Sequence, residues 1–247
     1  SGLVASQAGT GLPGATVEIG SGAAAKTATT NEQGFFAIND VAPGQHMVRY
    51  SHDGYVQNTK RVQVTASQNT QVSVNLQAIG TTQTIDASQA QTLTHRGGKV
   101  GLPANGIVDA QGQPVTNVVA EVTTMIPGDP NYEVCMPGEF TGVDAGNRVN
   151  LVSYGVIDVT LKDTSGNPLQ LASGQTATLE FPLPPNDPGD ALMPLWSFDT
   201  ASGDWIREGD ATRDAGAGVY RGTVSHFSPW NCDKGRPEAT KTVRLLN

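Results

Sequence analysis

The segment Ser225-His226-Phe227-Ser228-Pro229-Trp230-Asn231-Cys232-Asp233 gathers a hydroxyl, an imidazole and a thiol in a chain with only four histidines and two cysteines. A His-Phe-Ser tripeptide at a strand end is what a self-cleaving β-domain uses. The Ser228 hydroxyl attacks the Phe227 carbonyl, His226 accepts the proton, and water hydrolyses the resulting ester. That chemistry requires strain at the Phe227–Ser228 bond, and it gains from an acid that orients the imidazole, for which Asp199 and Asp233 are candidates. The competing reading is structural, with Phe227 in a core and His226 and Ser228 hydrogen-bonded at a sheet edge. Pro229 biases Ser228 toward extended backbone in either case.

Three further sets of residues carry a chemical reading beside a plain one. Trp196, Trp205 and Trp230, close together near the end of the chain, would stack on sugar rings if exposed in a row; period-two alternation of Trp196 and Phe198 suits mutual core packing instead. Asp129, Asp144, Asp187 and Asp190 are loop oxygens of the kind calcium takes, yet no EF-hand or glycine-rich nonapeptide spacing surrounds them, and turn capping is the alternative. Cys135 and Cys232 are compatible with one bridge in an oxidising compartment; the other reading is two buried small thiols. No Cys/His cluster, paired catalytic carboxylates or G-x-S-x-G elbow appears, Gly97-Gly98-Lys99 lacks the phosphate-loop spacing, and no cofactor other than calcium is indicated.

The elements that must position these residues are strands. Charged residues are 15% of the chain while Gly numbers 29 and Pro 15, a mixture that favours strands joined by tight turns. No apolar series at helical spacing continues past two turns. The net charge of −8 argues against nucleic acid, which needs a basic patch. No apolar run approaches the length of a membrane span.

Residues 1–78 hold seven short strand-like runs at the spacing of a small Greek-key sandwich, among them Thr16-Val17-Glu18-Ile19, with Val17 and Ile19 on one face, and Phe35-Phe36-Ala37-Ile38 after the turn Asn31-Glu32-Gln33-Gly34. Residues 79–96 are polar with few anchors and read as a linker or crossover strand. Residues 97–234 give a second, larger antiparallel sandwich, with runs at Val118 to Thr124, Val149 to Leu161, Gln175 to Leu183, Leu195 to Phe198, Asp204 to Arg207 and Val219 to Val224. Residues 235–247, with apolar Val243, Leu245 and Leu246, read as a tail or the start of a further domain of a longer surface protein. The expected fold class is all-β, two tandem antiparallel β-sandwiches of Greek-key, transthyretin or immunoglobulin-like type.

Leu12-Pro13-Gly14-Ala15-Thr16-Val17, Thr29-Thr30-Asn31-Glu32-Gln33-Gly34-Phe35-Phe36 and Val41-Ala42-Pro43-Gly44 resemble the carboxypeptidase regulatory-like domain, a transthyretin-type sandwich. The resemblance implies a non-catalytic module attached to larger proteins. Cys135-Met136-Pro137-Gly138-Glu139-Phe140, Ser153-Tyr154-Gly155-Val156-Ile157-Asp158-Val159, Pro194-Leu195-Trp196-Ser197-Phe198-Asp199 and the Ser225 to Asn231 segment resemble the extracellular β-domain of cartilage intermediate layer protein, the FAM171 membrane proteins and bacterial surface proteins. Gly97 to Val108 and the His-Phe-Ser end are distantly similar to ZU5-type domains, some of which self-cleave. Together these imply a non-enzymatic extracellular or cell-surface module, or a periplasmic one in a bacterium. Its partners would be a protein or glycan and the neighbouring domains of a longer chain. The alternative is an autoproteolytic β-domain that cleaves between Phe227 and Ser228.

Overall fold

The computed structural model describes residues 1–20, 22–184, 187 and 189–237. Strand makes up 54% and helix 3%, so the fold class is all-β with antiparallel sheets, as the turn-rich composition implies. Seven strands precede residue 78: β1 (Gly2–Ser6), β2 (Thr16–Ile19), β3 (Lys26–Thr29), β4 (Phe35–Phe36), β5 (Gly44–Ser51), β6 (Asn58–Val64) and β7 (Val74–Leu76). They form a four-stranded sheet in the order β3-β2-β5-β6 and a three-stranded sheet in the order β4-β1-β7. Alternating apolar residues of both sheets, including Val4, Val17, Ile19, Val48, Tyr50, Val62 and Leu76, close on one core. This is the packing that period-two alternation demands when one face of each sheet is buried. The turn before β4 needs its glycine: Gly34 has φ 83° and a Cβ there would lie 2.4 Å from the Val4 carbonyl oxygen. The Asn31 side chain fixes the same turn by accepting from the Gln33 and Phe35 amides.

Among the described residues thirteen strands follow: β8 (Thr81–Asp86), β9 (Gln91–His95), β10 (Gly98–Leu102), β11 (Ile107–Val108), β12 (Asn117–Met125), β13 (Thr141–Asp144), β14 (Asn147–Lys162), β15 (Gln170–Leu171), β16 (Ala177–Pro182), β17 (Leu192–Asp199), β18 (Asp204–Asp214), β19 (Val219–Val224) and β20 (Trp230–Pro237), with a short helix α1 (Tyr132–Cys135) between β12 and β13. Apart from the β11–β15 ribbon, they make one hydrogen-bonded sheet in the order β8-β12-β14-β20-β17-β18-β19-β16-β10-β9, with β13 beside β14 and β18. Its end strands β8 and β9 meet where the Thr81 hydroxyl donates to the Thr94 carbonyl, 3.4 Å. The sheet therefore folds over a single core that takes Val100, Val122, Ile157, Leu179, Leu195, Tyr220 and Trp230 from its different strands.

The segment 79–96 differs from its reading as a linker or crossover strand, because it carries β8 and β9. Thr81, Thr82, Thr84, Thr92 and Thr94 supply β-branched side chains, and a single buried anchor in each strand, Ile85 and Leu93, ties it to the core. Few apolar residues suffice at the edges of a sheet. Of the tail read from residue 235, Gly235 to Pro237 end β20, and 238–247 lie outside the described residues.

Strand β14 sets up the region of interest. Its register against β20 slips between Ser153 and Val156, at Gly155 with φ 144°. Past the bulge the two faces alternate: Val156 joins a second cluster with Trp196, Phe198 and Trp205, and Ile157 joins the main core. Beyond it, Val159 and Leu161 point to that core, and Asp158, Thr160 and Lys162 lie on the other face.

Candidate functional site

The His-Phe-Ser tripeptide lies in the connection between β19 and β20. His226 Nε2 is 3.0 Å from Glu208 Oε2, and the Ser197 hydroxyl donates to Glu208 Oε1 at 2.6 Å. The Trp230 indole N–H donates to the His226 carbonyl at 3.0 Å, and Phe227 packs against the main core. The Ser228 hydroxyl donates to the Pro229 carbonyl, 3.4 Å, and among the described residues no hydrogen bond joins His226 to Ser228. Neither Phe227 nor Ser228 has a positive φ, and among the described residues no peptide bond is cis.

The acid beside the imidazole is Glu208, not Asp199 or Asp233. The Asp199 carboxylate closes its own turn, taking the Ser202 hydroxyl at 2.6 Å and the Ala201 amide at 2.9 Å, and these bonds hold it below the ordinary carboxylate range. Asp233 is fully buried, accepting from the Tyr154 amide and the Asn231 side chain. Burial pushes its carboxyl up to about 8. Glu208 lies just past the strand-like run Asp204 to Arg207, in Glu208-Gly209-Asp210, where no apolar alternation marks a strand.

Asp158 was not among the residues singled out by sequence. It stands opposite Thr123 in the β12–β14 register and is only 9% exposed. Burial pushes its carboxyl up to about 7; the neighbouring Glu121 adds to the rise and Lys162 opposes it. The Lys162 amine is committed elsewhere, 2.8 Å from Glu121 Oε2. Two clefts meet at Asp158. One, of about 560 Å³, also has Gln57, Thr59, Ser197, Glu208 and His226 in its lining; the other, of about 700 Å³, runs past His52, Asp53, Glu121 and Thr160. Both lie between the first group of strands and the large sheet.

The edge of β6 closes that boundary. Gly138 N–H donates to the Thr59 carbonyl at 3.0 Å, and the Asn58 side chain donates to the Cys135 carbonyl at 3.0 Å. Lys60 Nζ donates to the Met136 and Gly138 carbonyls, each at 2.7 Å. Burial pulls the Lys60 amine down to about 8, against the favourable charge of Glu139. Arg61 reaches Asp204 at 2.9 Å and also donates to the Ser202 carbonyl. A free strand edge invites pairing; here a loop of the large sheet's unit occupies it.

Residues 1–77 match the carboxypeptidase regulatory-like domain. No curated protein matches the chain. The regulatory-like domain is a non-catalytic, immunoglobulin-like module, and its last long strand is the β6 that docks on the 135–138 loop. It contributes Gln57 and Thr59 to the first cleft and His52 and Asp53 to the second, while Asp158, Glu208 and His226 come from the remainder of the chain.

The structure revises the other candidate residues. Trp196, Trp205 and Trp230 are 1%, 0% and 2% exposed, so they are core side chains with no face to offer a sugar ring. Asp129, Asp144, Asp187 and Asp190 do not converge on one point; they pair separately with Arg96, Arg207, Arg213 and Lys234. Among the described residues no group of three acidic, histidine or cysteine side chains is placed to hold a metal. Cys135 and Cys232 are free, buried thiols and not a bridge. Cys232 belongs to the core of the large sheet, whereas Cys135 ends α1 beside Asn58 and Lys60. Burial raises both thiols, Cys135 to about 11, which makes them poor nucleophiles.

Proposed function

We propose that the chain is a non-enzymatic binding and scaffolding module of a larger extracellular or cell-surface protein, in which the regulatory-like domain and the β-unit after it act as one rigid body. The observation that carries this reading is the occupied edge of β6. Backbone, Lys60 and Arg61 contacts hold the two parts at a fixed angle, as a module that presents neighbouring domains or a binding face requires. Inter-domain contacts this small are often mobile; half-buried charges and a backbone hydrogen bond at the seam favour rigidity. The likeness of the second part to the β-domain of cartilage intermediate layer protein and the FAM171 proteins supports a surface or matrix setting, as does the acidic balance of the chain.

Self-cleavage at Phe227–Ser228 is the test of the non-enzymatic part. Among the described residues the Ser228 hydroxyl has no base within hydrogen-bonding reach, the His226 imidazole lying on Glu208 and not on Ser228. Folded protein held near neutral pH for days, then denatured and reduced for mass spectrometry, is expected to give the intact mass. A fragment beginning at Ser228, abolished by Ser228→Ala, would overturn the reading.

A further inference from the structure

Asp158 is set apart from the other buried or half-buried carboxylates. Asp233 accepts an amide N–H and a carboxamide, Glu121 holds Lys162, Glu180 holds Lys99 and Arg221, and Asp204 holds Arg61 and Arg148. Asp158 is 9% exposed as a residue, and its carboxyl, which opens onto both clefts, accepts no hydrogen bond from the described residues. A buried carboxylate without a partner is costly, and its presence calls for a group that completes it. That group has a route in, since Asp158 lines both clefts.

The surroundings select the chemistry of that group. Around Asp158 the polar lining is rich in acceptors: the carboxylates of Glu208 and Glu121, the hydroxyls of Thr160 and Ser197, and the carboxamide of Gln57. Of the cationic or titratable donors in the two linings, Lys162 and His226 are held by Glu121 and Glu208, and the His52 ring lies against the Asp53 and Pro13 carbonyls. The cleft therefore favours a positive group. A divalent metal would need several ligands converging, and no such group occurs among the described residues. A guanidinium prefers a bidentate partner in one plane, whereas an ammonium takes a single carboxylate and hydroxyls in any direction. The 560 Å³ cleft also takes apolar lining from Ile206, Phe227 and Pro229, beside the polar Asp199, Thr200 and Ser228. It suits an unbranched hydrocarbon stem whose charged head goes further in.

We propose that this cleft binds a lysine side chain of a partner protein, with the stem along Ile206 and Phe227 and the ammonium on Asp158. The net charge of −8 draws a basic partner to the surface. The proposal rests on the binding-module reading and deepens it by naming the recognised group. Cleavage at Ser228 bears on that reading alone, and the titration below bears on this proposal alone.

The experiment is an NMR titration of the intact chain with Nα-acetyl-lysine N-methylamide, alongside the norleucine and arginine analogues and calcium chloride. Millimolar binding is expected for the lysine analogue, with shifts concentrated at Val159, Thr160, Phe198 and Phe227. Asp158→Asn, which keeps the shape of the side chain, is expected to weaken it at least tenfold while the thermal midpoint shows that the variant is folded. Phe227→Leu, which shortens the apolar wall and keeps the carboxylate, is expected to weaken it severalfold. Equal affinity in Asp158→Asn, an equal response to the norleucine or arginine analogue, displacement of the lysine analogue by calcium, or no binding at all would each overturn the proposal.

Discussion

The thermal midpoint is expected to fall by about 10 °C or more between pH 5 and pH 8.5, and Asp233→Asn is expected to remove most of that fall. Burial raises the Asp233 carboxyl from 3.8 to about 8 and that of Asp158 from 3.8 to about 7. The folded chain thus keeps protons that the unfolded chain has released once the pH passes about 4. Stability from these groups is full below the unfolded value and is lost as the pH rises through the folded one. For fully buried Asp233 the linkage is on the order of 5 kcal/mol, and for a chain of this length each kcal/mol moves the midpoint by about 2–4 °C. Lys60 acts in the opposite sense, since burial lowers its amine to about 8; its cost is relieved only above that pH. Below about pH 4.5 the direction reverses, because Asp129, Asp163 and Asp187 are held low by hydrogen bonds and lose those bonds on protonation. The midpoint should therefore peak near pH 5. A midpoint that rises steadily from pH 5 to 8.5, or an Asp233→Asn variant with the same fall, would show that Asp233 is ionised in the native state.

Asp204→Ala is expected to destabilise the chain by about 2–3 kcal/mol in urea unfolding and to loosen the regulatory-like domain from the large sheet. Asp204 accepts from Arg61 across the boundary and from Arg148 within its own unit, and the Arg61 and Asp204 side chains are only 17% and 14% exposed. Removing one partner of a buried pair strands the other charge, which costs about 3–5 kcal/mol when burial is complete and less here. Asp204→Asn keeps an acceptor for Arg61 and should cost about half as much. A loss below about 0.5 kcal/mol for Asp204→Ala would mean that the seam carries little of the stability.

The strands were legible where apolar residues alternate. Val118 to Thr124, Val149 to Leu161 and Val219 to Val224 become parts of β12, β14 and β19, and Val17 and Ile19 face the same core. Legibility fails where a strand is held by polar pairs. β18 runs on to Asp214 through Glu208, Asp210 and Arg213, which pair across the surface with His226, Arg207 and Asp187; with no apolar alternation there, the legible run ends at Arg207. Glu208 was missed for that reason. Asp158 was hidden differently: it lies inside a recognisable strand, and only the position of the regulatory-like domain over that face of β14 turns a polar, outward residue into a buried one. The cysteines illustrate the converse, because their number suggested a bridge while their surroundings, Lys60 for one and the sheet core for the other, depend on folding that spacing does not encode.

Rigidity between the two parts is tested most directly by a distance distribution between spin labels at Glu32→Cys in the regulatory-like domain and Thr164→Cys in the β14–β15 connection, in a background with Cys135→Ser and Cys232→Ala. Both label sites are exposed, so the labels need not disturb either core. One narrow distance peak is expected, unchanged by dilution, and broadened when Asp204→Ala is added. A broad or multiple distribution in the chain with Asp204 intact would contradict a fixed joint.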